Sequence, residues 1–117
     1  MSKSVVDVLS HHMNCVARGD LPGIMENYSE ASVLFSPDGV LKGKTLIEQF
    51  FTALTTSMMP SGTKLLPVRQ DISGDTAFLM WQAESPTMHF HMGAETFVIR
   101  DGKILTHSFA AAIERKA

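Results

Sequence analysis

The second half of the chain contains four apolar, alternating segments, which predict four consecutive β-strands. They cover roughly residues 64–72, 76–84, 88–99 and 103–113, and the short polar sequences SGD, SPT and RDGK separate them. Side chains in a strand alternate between two faces, and Asp-Gly between two such segments is a strong hairpin signal. The segments therefore predict an antiparallel meander, and strands of about ten residues predict a strongly twisted and curved sheet.

The first half of the chain has the capping residues and apolar spacing of helices. Ser4 followed by Asp7 resembles a capping box at the start of the first helix. Asp20 can cap a second, short helix, which we expect to run through about Tyr28. A short strand, ASVLF, and the turn SPDG precede the third helix. Three N-terminal helices packed on an antiparallel sheet define an α+β fold, and we expect one domain over residues 1–117.

Composition excludes several classes of protein. The net charge is −2, the pI is about 6.2 and no basic run is present, so nucleic acid is not an expected partner. Cys15 is the single cysteine, which excludes an internal disulfide and a multi-cysteine zinc site. The N-terminal sequence is too polar for a signal peptide, and no apolar stretch approaches the ~18 residues of a membrane span. We therefore expect a cytoplasmic protein with no membrane partner.

The stretch MHFHMGAETF places His89, His91 and Glu95 at even spacing. In an uninterrupted strand these three side chains share one face. Imidazoles and a carboxylate on one face can form an acid–base pocket, a metal site or a simple polar patch. The spacing alone leaves these three interpretations open.

A metal site is the alternative that this spacing favours most directly. The pattern H-x-H-x3-E-x6-G matches the first metal-binding motif of cupins, and His107 on the next strand could add a ligand to His89, His91 and Glu95. Such a set would suit zinc or iron. However, Ala83 stands where cupins have a glycine, no second motif follows, and three helices do not open a jelly roll. We therefore predict no cofactor, and a metal-dependent enzyme stays an alternative.

Three stretches, ARGDLPGIMENYSEASVLFSP, LKGKTLIEQFF and FVIRDGKILTHSFAA, carry a resemblance to a known superfamily. In their order and motifs they resemble the nuclear transport factor 2-like superfamily, which includes ketosteroid isomerases and SnoaL-like polyketide cyclases. The resemblance covers nearly the whole chain. It implies a cystatin-like, cone-shaped fold around a central cavity, but many unrelated activities share this scaffold.

The resemblance also assigns positions to the machinery of ketosteroid isomerases. In those enzymes a helix tyrosine and a strand aspartic acid form the oxyanion hole, and another aspartate before a proline is the base. The tyrosine position falls on His12, the acid on Glu95 and the base on Ser36. The base is therefore lost, and isomerisation by that mechanism is not expected. The resemblance further implies that Phe97, His107 and Phe109 face the pocket.

The candidate site follows from these positions. His12 lies in the middle of the apolar stripe of the first helix, where an unpaired polar group is costly, and Glu95 is its expected partner. We predict His12 and Glu95 as an acid–base pair, assisted by His91 or His107. Aromatic residues and eight methionines would suit a small apolar or cyclic organic ligand. The predicted ligand-binding residues are Tyr28, Phe35, Ser36, Phe50, Met58, Phe97 and Phe109.

Two further functional hypotheses stand beside a cofactor-independent isomerase or cyclase. One is a non-catalytic ligand-binding or dimerisation module, and the other is the metal-dependent enzyme described above. The segment 76–84 is apolar on both faces, with Phe78 and Met80 on one and Leu79 and Trp81 on the other. Helices can cover only one of these faces. We therefore expect a homodimer through the outer face of the sheet.

Overall fold

Three helices pack against one side of a six-stranded sheet in the computed structural model, which describes residues 4–116. This arrangement confirms the predicted α+β fold. The helices are α1 (Val5–Arg18), α2 (Leu21–Met25) and α3 (Lys44–Ala53), and a π-helical turn (Leu54–Met58) continues α3. The strands are β1 (Tyr28–Ser36), β2 (Gly39–Lys42), β3 (Lys64–Ser73), β4 (Thr76–Glu84), β5 (Met88–Arg100) and β6 (Lys103–Arg115).

The order of strands across the sheet is β2-β1-β6-β5-β4-β3. Strands β3 to β6 form the predicted antiparallel meander, but β1 pairs with β6 in parallel, so the sheet is mixed rather than antiparallel. A parallel pair needs a long connection, which the chain between β1 and β6 supplies. Strand β2, which the sequence did not predict, forms a hairpin with β1 across the SPDG turn.

The second helix is shorter than predicted. Asp20 caps α2 by accepting a hydrogen bond from the Gly23 amide, as expected, but the helix ends at Met25. The amide of Ile104 donates to the carbonyl of Asn27 at 2.7 Å, and this bond ties the chain to β6. Tyr28 therefore begins β1 instead of ending a helix, because pairing with the sheet outweighs the local helical preference.

A β-bulge in β5 reverses the faces of its side chains. Phe90 pairs with Ile113 of β6, whereas Met92 pairs with Ala112, so β5 holds one extra residue at His91. Before the bulge Phe90 points into the core, and after it Glu95 does. His89 and His91 consequently lie on the face opposite Glu95. The prediction that all three share one face is wrong, because even spacing preserves a face only in an uninterrupted strand.

The core lies between the helices and the inner face of the sheet. The largest fully buried side chains include Tyr28, Phe51, Phe90 and Phe97. The inner stripe of α1 contributes Val8, Leu9, His12, Cys15 and Val16. Among residues 4–116, no helix combines the length and apolar character that crossing a membrane requires.

Ser32 joins the parallel strands at the point where their register shifts. Its hydroxyl donates to the carbonyl of Ile104 at 2.5 Å and accepts from the amide of Ser29 at 2.9 Å, inside the core. Ser32→Ala should lower the free energy of unfolding by about 1–3 kcal/mol, because two backbone groups would lose their partner. Urea denaturation measures this change. Ser10→Ala, at an exposed position of α1, should change it by less than about 0.5 kcal/mol, and equal effects would contradict the assigned role.

Candidate active site

Four buried side chains form one continuous chain of hydrogen bonds. The hydroxyl of Tyr28 lies 2.9 Å from Nδ1 of His107, and Nε2 of His107 lies 2.7 Å from Oε1 of Glu95. The second carboxylate oxygen, Oε2, accepts from Nε1 of Trp81 at 2.8 Å. Glu95 is only 7% exposed, and the other three residues are at least as buried. We call these four residues the polar chain.

Each member of the polar chain comes from a different strand, and the four strands are neighbours. Tyr28 lies on β1, His107 on β6, Glu95 on β5 and Trp81 on β4. Glu95 pairs directly with Phe109 and with Leu79, so its hydrogen-bond partners are its diagonal neighbours across both strand pairs. Diagonal neighbours on one face are within reach of long side chains. The polar chain therefore depends on the register of the whole inner face.

The direction of the hydrogen bonds follows from what each group can donate. The indole N–H of Trp81 can only donate, so Oε2 of Glu95 accepts. Burial, and then the negative charge of Glu95, raises the pKa of Tyr28 well above its ordinary value of 10.0, so the phenol keeps its proton and donates to Nδ1 of His107. Nε2–H of His107 then donates to Glu95. When Glu95 carries a proton, the same heavy-atom positions allow Glu95 to donate to Nε2 of His107 and Nδ1–H to donate to the phenol oxygen, so the polar chain accommodates both states of the carboxyl group.

His12 faces the polar chain from α1. Its ring packs edge-to-face on His107, with centroids 5.8 Å apart, and on Phe97 at 5.3 Å. Burial, and then the charges that His107 and His11 carry when protonated, hold the pKa of His12 well below its ordinary value of 6.5. Within residues 4–116 its buried Nδ1 has no hydrogen-bond partner. His12 is therefore a neutral imidazole that does not bond directly to Glu95, its predicted partner.

A small inner cavity lies between His12 and Glu95. Its volume is about 20 Å³, which is room for roughly one water-sized group. Apart from these two residues, the lining is apolar: Met13, Val16, Phe51, Leu54, Met59, Leu65, Trp81 and Phe109. Both predicted acid–base residues, His12 and Glu95, line this cavity. The cavity is too small for a cyclic organic molecule.

A larger groove lies outside this cavity, between α1 and strands β3 and β4. It has a volume of about 300 Å³ and shares Met13, Leu65 and Trp81 with the inner cavity. Asn14, Arg69 and Gln70 give it a partly polar lining, while Ala17, Pro67 and Leu79 add apolar surface. Three side chains thus separate the groove from the space beside Glu95.

The structure brings most of the predicted site residues together. Tyr28, Phe97 and His107 surround His12, and Phe109 lines the inner cavity beside Glu95. Two predicted ligand-binding residues pack close to the inner cavity but do not line it. Phe50 packs against Phe109 with ring centroids 5.4 Å apart, and Met58 is half-buried against the core.

Phe35 and Ser36 lie elsewhere, which corrects their prediction as residues of the central pocket. Leu34 points into the core, so its neighbour Phe35 points outward and is 46% exposed. Phe35 and Ser36 border an open hollow of about 430 Å³ on the outer face of the sheet. Glu95 and Phe109 border both this hollow and the inner cavity. The remaining residues of the hollow are Pro37, Phe78, Ala94, Thr96, Ser108 and Ala110.

His91 is also outside the candidate site, which corrects its predicted catalytic role beside Glu95. It is exposed and lies 2.9 Å from Glu114, while its neighbour His89 contacts Glu84. The bulge at His91 separates both imidazoles from Glu95 and His107, so the four predicted metal ligands do not meet. Within the described part of the chain, no three His, Cys, Asp or Glu residues are placed to hold a metal ion.

Trp81 belongs to the site, although the sequence pattern predicts only an apolar residue of a two-sided strand at this position. Its indole N–H donates to Glu95. The sequence holds one signal for this role, because a buried tryptophan usually needs an acceptor for its N–H. The identity of that acceptor depended on a register that the bulge in β5 changes.

The family of the chain follows from a match over most of its length. The family model for the SnoaL-like domain matches residues 9–107. The chain therefore belongs to the SnoaL-like domain family, which confirms the resemblance stated from its motifs. No curated protein sequence matches the chain significantly.

Solved structures share this fold at low sequence identity. One of them is SalBIII, an epoxide hydrolase/cyclase-like enzyme with a role in pyran ring formation in the polyether salinomycin. It is 17% identical, with a TM-score of 0.78 over 96% of this chain and 95% of that chain. A candidate ketosteroid isomerase from Kribbella flavida DSM 17836 is 11% identical, with a TM-score of 0.75 over 92% and 77%. A de novo designed protein with a curved β-sheet is 15% identical, with a TM-score of 0.77 over 96% and 88%. These likenesses show the fold alone.

The buried, unpartnered His12 gives the protein a distinct pH dependence. Because its pKa is lowered in the folded state, the unfolded chain takes up a proton first as the pH falls below 6.5. Wild type should lose up to about 1.4 kcal/mol of stability per pH unit from this residue, until the pH reaches the lowered pKa. His12→Phe removes the effect. The free energy of unfolding of this variant relative to wild type, measured by urea denaturation, should therefore rise as the pH falls from 7.5 to 5.5. A difference that stays constant with pH would contradict this assignment.

Proposed function

We propose that the protein is a cofactor-independent acid–base enzyme that acts on a small apolar or cyclic organic molecule. The observation that carries the proposal is the buried polar chain, which holds a carboxylate beside the inner cavity. Glu95 removes a proton from an acidic C–H bond of the substrate, and the electron pair moves onto an adjacent carbonyl oxygen. The proton then returns from Glu95 to another carbon of the substrate, or the carbanion attacks a second carbonyl within it and Glu95 returns the proton to the oxygen of that carbonyl. These outcomes are an isomerisation and a cyclisation.

The surrounding residues suit this chemistry. A neutral imidazole can donate one N–H to a developing enolate oxygen, as is known for enzymes that polarise carbonyls. His12 is such an imidazole, and it lines the same cavity as Glu95. His107 and Tyr28 hold Glu95 in place whether or not it carries the substrate's proton, because His107 can donate to the carboxylate or accept from the carboxylic acid. A purely structural role accounts for the bonds of Glu95 but gives no reason for the unpartnered Nδ1 of His12, which is costly to bury.

The groove beside α1 offers the space that the substrate needs. Pockets for small ligands commonly occupy about 300–1,000 Å³, so the groove is large enough and the inner cavity is not. Met13 and Leu65 border both spaces, and methionine side chains adapt readily to a ligand. Rotation of these two side chains would join the groove to the cavity. The body of the substrate would then lie in the groove, with its acidic C–H beside Glu95.

A test of this proposal follows hydrogen exchange. Wild-type protein should accelerate deuterium uptake from D₂O into at least one member of a panel of cyclic ketones and 1,3-diketones, measured by NMR. Glu95→Gln keeps the shape but removes the base, so the rate should fall by about 10²-fold or more. Glu114→Gln, at the exposed partner of His91, is the matched control and should leave the rate unchanged. An active Glu95→Gln variant would contradict the mechanism.

The second candidate, a non-catalytic binding module, gives a different result in the same experiment. Panel compounds would then shift the NMR signals of groove residues such as Met13 and Ala17 without any exchange by the wild-type protein. The open hollow on the outer face supports this alternative, because an exposed apolar residue such as Phe35 often marks a binding surface.

We also propose that two copies of the chain pair through the outer face of the sheet. Phe35 and Phe78 border the hollow on that face, where small residues allow close approach of a second sheet. Light scattering at tens of micromolar should report a dimer for wild type and a monomer for Ala94→Arg, which places a charge in the hollow. Val6→Arg, at an exposed apolar position of α1, should remain dimeric. A monomeric wild type would overturn this proposal.

A further inference from the structure

We infer that Gly93 is a positioning residue that holds Trp81, and through Trp81 the carboxylate of Glu95. This inference rests on the proposed function, because it concerns the same carboxylate. Gly93 lies directly opposite Trp81 in the β4–β5 pair. A Cβ atom at position 93 would come within 2.2 Å of two indole carbons, Cε2 and Cζ2, and within 2.6 Å of a third, Cη2. Real Cβ atoms do not approach other atoms so closely, so the indole occupies the space that a side chain at position 93 would need.

The need for glycine here is spatial rather than conformational. Gly93 is not among the glycines with positive φ, so any residue could adopt its backbone conformation. The indole also packs against Phe90 and Phe109, with ring centroids 5.6 and 6.1 Å away. A methyl group at position 93 would push the indole away from β5, toward the cavity and the groove that it borders. The interaction lost first would be the 2.8 Å bond from Nε1 to Oε2 of Glu95.

Holding Oε2 fixes the orientation of the carboxylate. His107 binds Oε1 and Trp81 binds Oε2, so the plane of the group cannot turn while both bonds persist. A base must be held close to the atom that it deprotonates, and small displacements are expensive in rate. Trp81 also forms part of the wall between the inner cavity and the groove. Gly93 thus sets both the direction of the base and the position of that wall.

The bulge in β5 is what brings Gly93 to this place. Ala83 pairs with Phe90, and Trp81 pairs with Gly93, so β5 advances by three residues while β4 advances by two. Without the extra residue, Met92 would face Trp81 and Glu95 would point to the outer face. Bulges often re-aim side chains near functional sites. One irregularity therefore supplies both the base and the glycine that lets Trp81 hold it.

The single tryptophan of the chain makes this inference measurable without a known substrate. The NMR signal of the Trp81 indole N–H should lie downfield in wild type, because this group donates to a carboxylate. Glu95→Gln should move the signal upfield, because a neutral amide accepts more weakly. Gly93→Ala, shown to be folded by circular dichroism, should move the signal upfield as well and shift the emission of Trp81 to the red. A Gly93→Ala variant that keeps the wild-type signal position would overturn the inference.

Gly23→Ala is the matched control for a crowded glycine. A Cβ at position 23 would lie 2.4 Å from Oδ2 of Asp20 and 2.7 Å from Sγ of Cys15, with no member of the polar chain among its closest neighbours. This variant should be destabilised but should keep the wild-type position of the indole N–H signal. An upfield shift in Gly23→Ala as well would show that general loosening causes the shift, and would overturn the assignment to Gly93.

A double variant covers the case in which Gly93→Ala does not fold. Phenylalanine at position 81 lacks the outer ring that covers Gly93, so Gly93→Ala should lower the urea midpoint much less in Trp81→Phe than in wild type. Equal losses in both backgrounds would refute the inference. The outcome is separable from that of the proposed function. Gly93→Ala can move the indole signal even if no ketone exchanges, and ketone exchange can depend on Glu95 even if Gly93→Ala leaves the signal unchanged.

Discussion

The burial of one carboxylate, that of Glu95, is the constraint on which the rest of the inner face depends. Removing a carboxylate from water is very costly unless hydrogen bonds compensate it, and breaking such a set by removing one partner costs several kcal/mol. Here the compensation comes from an imidazole on one neighbouring strand and an indole on the other. The imidazole in turn needs Tyr28, so three further buried residues are committed to one acidic group.

The fold does not by itself account for these commitments. A de novo designed protein with a curved β-sheet matches this chain with a TM-score of 0.77, and one fold can serve many unrelated functions. Apolar residues of similar volume often stabilise a buried position at least as well as a paired charge does. The polar chain, the buried His12 and the crowded Gly93 are therefore the features that a functional account has to explain.

Local signals made much of the fold predictable from the sequence, whereas long-range pairing limited the prediction of the site. The Asp-Gly turn and the alternating segments placed β3 to β6 within one or two residues of their observed ends. The family resemblance also placed Glu95 and His107 on the inner face. His91 was misplaced because one bulge, invisible in the alternation, changes the face of the strand. The prediction of His12 as the partner of Glu95 is wrong for the same reason. The exact register of β5 and β6 decides that His107, and not His12, binds Glu95.

The position of β6 links the site to the order in which the chain is synthesised. Tyr28 and His107 are 79 residues apart, and β6, the last strand described, lies between β1 and β5 in the middle of the sheet. A chain emerging from the ribosome can form its helices and the β3–β4–β5 meander early, but β1 has no parallel neighbour until β6 arrives. Non-local pairings of this kind are slow to form. The polar chain therefore cannot form in a partly synthesised chain that lacks β6.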